Sequence, residues 1–138
     1  MGGPTYWGVA GSPISHSLTP KLFQIMAKIT GVEEAEQAFL QASDMDQFIN
    51  EVSKMDGEIW LSCTSPLKHL ATSRLGVSGP EGVSAVNQLR RSGGKWYGAN
   101  TDGIGFLIAC RNIGIEPSRS TLMIRGGGST ARSIAAAW

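Results

Sequence analysis

Lys68 and Asp102 are the residues of this chain best suited to handling a proton. Lys68 closes the polar island Ser62-Cys63-Thr64-Ser65-Pro66-Leu67-Lys68, and Asp102 lies in Asn100-Thr101-Asp102-Gly103. A third island, Ser15-His16-Ser17-Leu18-Thr19-Pro20, precedes both. Each sits where an apolar, strand-like run gives way to a helix start, the edge at which open α/β sheets place ligands. Together the islands offer hydroxyls, amides, one ammonium and one carboxylate. That set suits recognition of a small polyhydroxylated acid and transfer of one of its protons.

Each residue has a plainer alternative. Lys68 follows a Thr-x-Pro turn near a helix start, where the positive helix end disfavours an ammonium. A nearby carboxylate would favour the charged form and leave a general acid/base; without one, Lys68 is a solvated surface lysine. Asp102 is either a capping residue or the partner that orients Lys68. Both follow strand ends, so they can converge although far apart in sequence. Ser17 and Thr19 place alternate hydroxyls before a helix, where Thr19 can cap and where a carboxylate can also bind. His16 supports that loop. No histidines, cysteines or carboxylates stand at metal-ligand spacing, so no metal is expected.

Gly126, Gly127 and Gly128, followed by Ser129 and Thr130, form a second kind of site. Gly126, Gly128 and Ala131 fit G-x-G-x-x-G/A, a turn that lets a pyrophosphate approach the backbone above a helix N-terminus. The ribose-reading residue expected ~20 positions later lies beyond Trp138.

The elements that position these residues follow from apolar spacing. Tyr6–Ala10 reads as a buried strand, and Pro20 opens a helix whose Leu22, Ile25, Met26 and Ile29 share a face before Gly31. A second strand spans Ala35–Gln41. Ser43 caps a helix with Met45, Phe48, Ile49 and Val52 on one face. Glu58–Ser62 is a third strand, and Pro66 starts a helix running towards Arg74. Val83–Arg90 and Lys95–Ala99 flank Ser92-Gly93-Gly94 as a hairpin with a three- to four-residue loop. Thr101 caps a connecting helix, about residues 102–113, with Phe106, Ala109, Cys110 and Ile113 on one face. Ser120–Arg125 reads as a strand before the glycine turn and an Ala-rich helix. Alternating strands and helices predict an α/β fold, with a mostly parallel sheet covered by helices on both faces. One strand and part of one helix cannot build a core. Residues from about 118 onward therefore read as the start of a second, Rossmann-like domain.

Bulk composition narrows the partners. With 138 residues and 41% hydrophobic content the chain can bury a core. Charged residues are only 17% and the net charge is +1 without a basic block, which argues against nucleic acid. No apolar run approaches the ~20 residues of a membrane helix, and no signal peptide is visible, so no membrane partner is expected. Cys63 and Cys110 fit neither a disulfide framework nor a metal pattern. They read as reduced thiols of a cytoplasmic protein.

The order of the islands is similar to that of the shikimate dehydrogenase family, which includes quinate/shikimate dehydrogenases. Gly11 to Pro20 matches the opening G-x-P-I-x-H-S-x-S-P, Thr64 to Lys68 the end of N-V-T-x-P-x-K, Ala85-Val86-Asn87 the start of A-V-N-T, and Asn100 to Gly103 the N-T-D-G. Gly126 to Arg132 resembles the G-x-G-G-x-x-R cofactor turn. The resemblance implies an oxidoreductase that reversibly reduces 3-dehydroshikimate to shikimate, in aromatic amino acid biosynthesis, with NADP, or NAD as the alternative. It implies a substrate-binding domain over 1–117 and a truncated dinucleotide-binding domain over 118–138, inactive alone. Lys68 and Asp102 become the catalytic pair. Ser17 and Thr19 would take the substrate carboxylate; Thr64, Asn87 and Asp102 the ring hydroxyls; Gly126 to Thr130 the cofactor. The small-molecule substrate would be shikimate, 3-dehydroshikimate or quinate, and a homodimer is compatible.

The chain departs from the pattern at five positions. Ser62 stands for Asn, Cys63 for Val, Gln88 for Thr, Thr19 for Ser and Ser129 for Gly. Loss of the Asn amide bears on substrate choice, because hydroxyl-binding sites discriminate strongly. The extra methyl of Thr19 is compatible with a quinate-like substrate. Ser129 places a side chain where backbone would approach a phosphate. These changes keep two alternatives open: a quinate/shikimate dehydrogenase of shifted substrate, and a non-catalytic ligand-binding regulator on the same fold.

Overall fold

The computed structural model describes residues 3–138. Its centre is a five-stranded sheet in the order β2-β1-β3-β4-β5. The strands are β1 Tyr6–Gly11, β2 Glu36–Gln41, β3 Ile59–Cys63, β4 Gln88–Ser92 and β5 Lys95–Ala99. The helices are α1 Thr19–Thr30, α2 Met45–Ser53, α3 Leu67–Leu75, α4 Asp102–Asn112 and α5 Ser129–Ala137, with a short 3-10 turn at Pro117–Arg119.

The α/β class holds, and the sheet is mixed. β1 pairs in parallel with β2 and β3, whereas β3–β4 and β4–β5 are antiparallel. The hairpin loop is shorter than expected. Ser92 pairs with Lys95, leaving only Gly93 and Gly94, with φ of 56° and 76°. Two successive positive φ values are what a two-residue type I′ turn requires, and glycine supplies them without strain.

One sheet face carries the core. Ala10, Ala38, Ile59, Leu61, Cys63 and Leu89 meet Met45, Phe48 and Val52 of α2 and Leu67 and Ala71 of α3. The apolar face read from the α2 sequence is therefore buried. Its cap is Asp44 rather than Ser43: Asp44 Oδ1 accepts from Gln47 N at 2.8 Å, while Gln47 Oε1 accepts from Ser43 N at 3.0 Å. This reciprocal arrangement is a variant of a capping box.

The opposite face is thinly covered. α1 rests on it through Phe23, whose ring lies 4.5 Å from that of Trp7. The expected stripe Leu22, Ile25, Met26 and Ile29 is exposed, up to 72% at Ile29. The helical period is real, but this stripe has no apolar surface to meet among the described residues.

Three further expectations are corrected. The strand read at Val83–Arg90 begins only at Gln88, because residues 83–87 cross the start of α3, with Val86 N donating to Lys68 O at 2.9 Å. On α4 only Gly103 and Cys110 are buried; Ile113 is 74% exposed and Ala109 is also exposed. Ser120–Arg125 forms no strand, and Met123 is 94% exposed. A strand needs a neighbour for its backbone groups, and no described strand lies beside this segment.

Candidate functional site

The site forms at the C-terminal ends of β1 and β3 and at the helix starts around them. Thr64 N donates to Ala10 O at 3.0 Å, which closes the turn after β3 against the end of β1. Leu67 N donates to Thr64 O at 2.9 Å, so the turn passes directly into α3 and places Lys68 in its first turn. Pro66 stands just before this helix rather than within it. Asp102 is the first residue of α4.

These two helix starts bring the proton-handling residues together. Lys68 Nζ lies 2.8 Å from Asp102 Oδ2, with the two side chains only 18% and 16% exposed. Asn87 is buried beside them and holds the other carboxylate oxygen, its Nδ2 donating to Asp102 Oδ1 at 2.6 Å. Its Oδ1 accepts from Thr101 N at 2.9 Å. Thus one amide fixes both the turn and the carboxylate. Burial acts to raise the Asp102 carboxyl, but the Lys68 hydrogen bond and charge, with donors from Thr130 and Asn87, hold it below its ordinary value.

A cavity of about 220 Å³ opens beside this pair. Its polar lining includes Ser17, Thr19, Ser62, Thr64, Lys68 and Asn87, with Asp102 and His16 also present. Val9, Pro13, Ile14 and Cys63 supply the rest. The volume is below the roughly 300–1,000 Å³ typical of drug-sized ligands and fits a small one. All six expected substrate-contacting residues line this one space. Larger clefts elsewhere, such as one against Trp7 and Phe23, hold neither Lys68 nor Asp102.

At the α1 end the division of labour differs from the sequence reading. Thr19 is the first helical residue, and its backbone N–H donates to Ser17 Oγ at 3.2 Å. Ser17, not Thr19, therefore provides the local capping contact. The Thr19 hydroxyl is left free of this duty on the cavity wall.

Two of the unusual residues are cross-strand neighbours. Ser62 pairs with Gln88 in the β3–β4 register, and Gln88 Nε2 approaches Ser62 Oγ at 3.5 Å. An amide is thus still present near position 62, on the adjacent strand. Cys63 is buried, with Sγ 3.2 Å from Val86 O. Burial, together with Asp102, pushes its thiol up to about 12 despite the opposing Lys68 charge.

Gly126, Gly127 and Gly128 stand apart from this cavity, immediately before α5. A Cβ on any of the three would meet nothing within 4 Å, and no side chain caps α5. No described side chain or backbone atom crowds the Cβ positions of this turn at the start of α5. Ser129 opens α5, and Thr130 reaches the main site, its Oγ1 donating to Asp102 Oδ2 at 3.0 Å. Sequence spacing alone does not reveal this contact, nor that of Ser133, which is buried against Asn100 and Gly103. The signal available is a pair of hydroxyls three residues apart on an otherwise Ala-rich helix. Among the described residues no group of three or more His, Cys, Asp or Glu could hold a metal, and no helix is long and apolar enough to cross a membrane.

No protein-family model matches the chain. It is 36% identical over 143 residues to a shikimate dehydrogenase (NADP(+)) of Methylococcus capsulatus, covering 96% of this chain and 49% of that protein. A shikimate dehydrogenase (NADP(+)) of Bacillus cytotoxicus is 31% identical over 131 residues, covering 93% and 47%. Among solved structures, shikimate 5-dehydrogenase of Thermus thermophilus in complex with NADP(H) and shikimate superposes with a TM-score of 0.79 at 29% identity. That match covers 96% of this chain and 51% of the other. The chain spans about half the length of the curated relatives it matches.

Proposed function

We propose that this chain, a member of the shikimate dehydrogenase family over the half it spans, is the substrate-binding part of an NADP-dependent oxidoreductase. The reaction is the reversible reduction of 3-dehydroshikimate to shikimate. The observation that carries this reading is the 2.8 Å contact of Lys68 and Asp102 on the wall of a small polar cavity. In this reading residues 1–117 form the substrate domain, and 118–138 begin the cofactor domain.

Ser17 and Thr19 take the substrate carboxylate, where the first turn of α1 adds N–H groups and a favourable dipole. Thr64, Asn87 and Asp102 hold ring hydroxyls. The Lys68 ammonium gives its proton to the oxygen of the carbonyl being reduced and recovers it in the reverse direction. Asp102 keeps that ammonium aimed, and Asn87 keeps Asp102 in place. Gly126, Gly127 and Gly128, with Ser129 and Thr130, are the residues that would hold the cofactor phosphates. A bound nicotinamide would supply the hydride. Cys63 and Cys110, free and buried, fit a reducing, cytoplasmic setting.

The second reading is quinate, favoured by Thr19 on the cavity wall, whose extra methyl is compatible with it. The test is turnover by the full-length protein with shikimate and quinate, each with NADP and NAD. Shikimate turnover preferring NADP supports the main reading. Turnover with quinate alone moves it to the second. Binding without turnover in every combination supports a regulatory protein and overturns the enzyme reading.

A further inference from the structure

Asp102 Oδ2 accepts from two elements at once. Lys68 Nζ approaches from α3 at 2.8 Å, and Thr130 Oγ1 from α5 at 3.0 Å. Thr130 belongs to the first turn of α5, directly after the glycine turn. One turn later on the same helix face, Ser133 makes a second attachment. Its Oγ accepts from Gly103 N at 2.9 Å and donates to Asn100 Oδ1 at 2.8 Å. Asn100 Oδ1 also accepts from Asp102 N at 3.1 Å. Thus α5 holds the Asp102 carboxylate directly through Thr130, and through Ser133 it holds the Gly103 N–H and the Asn100 amide that in turn binds Asp102 N.

The two attachments do different work. Ser133 is buried and meets backbone and amide groups, so it fixes where α5 sits against α4. Thr130 is exposed and meets only the carboxylate, at an oxygen already shared with Lys68. A carboxylate oxygen can accept both bonds. With Oδ1 held by Asn87, the Thr130 bond leaves the carboxylate little freedom to rotate away from Lys68.

We propose that Thr130 is a positioning residue for the acid–base pair, supplied by the helix that follows the glycine turn: its hydroxyl orients Asp102, and Asp102 orients Lys68. This rests on reading Lys68 and Asp102 as that pair. The groups acting on Asp102 are the Lys68 ammonium from α3, the neutral Cys63 thiol from β3, and neutral donors from Asn87 and Thr130. Removing the Thr130 hydroxyl therefore removes a stabiliser of the carboxylate without adding a charge.

The test is a carbon-13 NMR titration of the Asp102 carboxyl in this chain, comparing wild type, Thr130→Ser and Thr130→Val. Valine keeps the shape and loses the hydroxyl; serine keeps the hydroxyl. The expected result is an upward shift of the Asp102 midpoint in Thr130→Val and none in Thr130→Ser. An unchanged midpoint in Thr130→Val, or equal shifts in both variants, overturns the proposal. Ser133 remains in both variants to hold α5. The measurement needs no turnover, so a protein that never oxidises shikimate would sink the function proposed above and leave this result to stand or fall by itself.

Discussion

The Lys68 ammonium and the Asp102 carboxylate meet at 2.8 Å from the first turns of two different helices, α3 and α4. The positive end of a helix favours an anion and disfavours a cation. Asp102 therefore sits where its own helix stabilises it, and Lys68 where its helix does not. The carboxylate offsets that disadvantage and points the ammonium along the cavity wall. A surface ion pair is worth little for stability, but the low exposure here serves orientation.

On the proposed reading, Lys68 passes the proton at the reacting oxygen and Asp102 aims it, so replacing either member disables that transfer. On that reading, Lys68→Met and Asp102→Asn in the full-length protein should each lower kcat/KM for shikimate by about 10²–10⁴-fold. The double variant should lose far less than the product of the two, because the residues act as a unit. Steady-state kinetics with NADP check this, with circular dichroism to confirm folding. Retention of activity within about threefold in Lys68→Met would remove the lysine from the chemistry.

The lowered Asp102 carboxyl also makes a contribution to acid stability. Burial opposes the charged form, yet the Lys68, Thr130 and Asn87 contacts outweigh it. The unfolded chain therefore binds this proton more readily than the folded one. The resulting stabilisation is complete above the unfolded value, about 3.9 for aspartate, and is lost as pH falls through the lower folded value. Urea midpoints should show wild type ahead of Asp102→Asn at about pH 6, with the gap narrowing in that acid range. A gap that stays constant into strong acid would show that Asp102 is not the group responsible.

Much of this site can be read from residue types. Lys68, Asp102, Ser17, Thr19, Thr64 and Asn87 share the cavity, and the strand-to-helix edges that hold them follow from local signals: Gly11-Ser12-Pro13, Thr64-Ser65-Pro66 and Asn100-Thr101. What sequence patterning misplaces depends on tertiary neighbours. Leu22, Ile25, Met26 and Ile29 have a helical period but no apolar surface to meet. Ser120–Arg125 has strand-forming residues but no paired strand. Ser17 caps α1 in place of Thr19, because a hydroxyl two residues before the helix start reaches the first free N–H. Thr130 and Ser133 escape a sequence reading because their partners, Asp102, Asn100 and Gly103, lie across a helix–helix contact that spacing does not encode.

That helix–helix contact is tight at one point. A Cβ on Gly103 would come within 2.1 Å of Ser133 O and 2.9 Å of Ala137 Cβ. Gly103→Ala should force α4 and α5 apart at a cost of about 1–3 kcal/mol. Ser133→Ala should cost a similar ~1–3 kcal/mol by leaving the buried Gly103 N–H unpaired. Thermal melts measure the losses. Amide hydrogen exchange should locate both effects in α5 and the start of α4, with β1 and β3 unaffected. Exchange that accelerates uniformly across the chain would contradict a local contact.

Cys63 lines the cavity but cannot serve as its nucleophile. Its thiol is pushed up to about 12, chiefly by burial, so it stays protonated near neutral pH. Iodoacetamide at about pH 8 should leave Cys63 unlabelled in the folded chain and modify it after unfolding in urea, as read by peptide mass mapping. The neighbouring charges set the direction of two further changes. Lys68→Met removes the cation that favours the thiolate and should slow labelling still more, whereas Asp102→Asn removes an opposing anion and should speed it. Rapid native labelling in wild type would show that the thiol is neither buried nor neutral, and that the apolar side of the cavity is open to solvent.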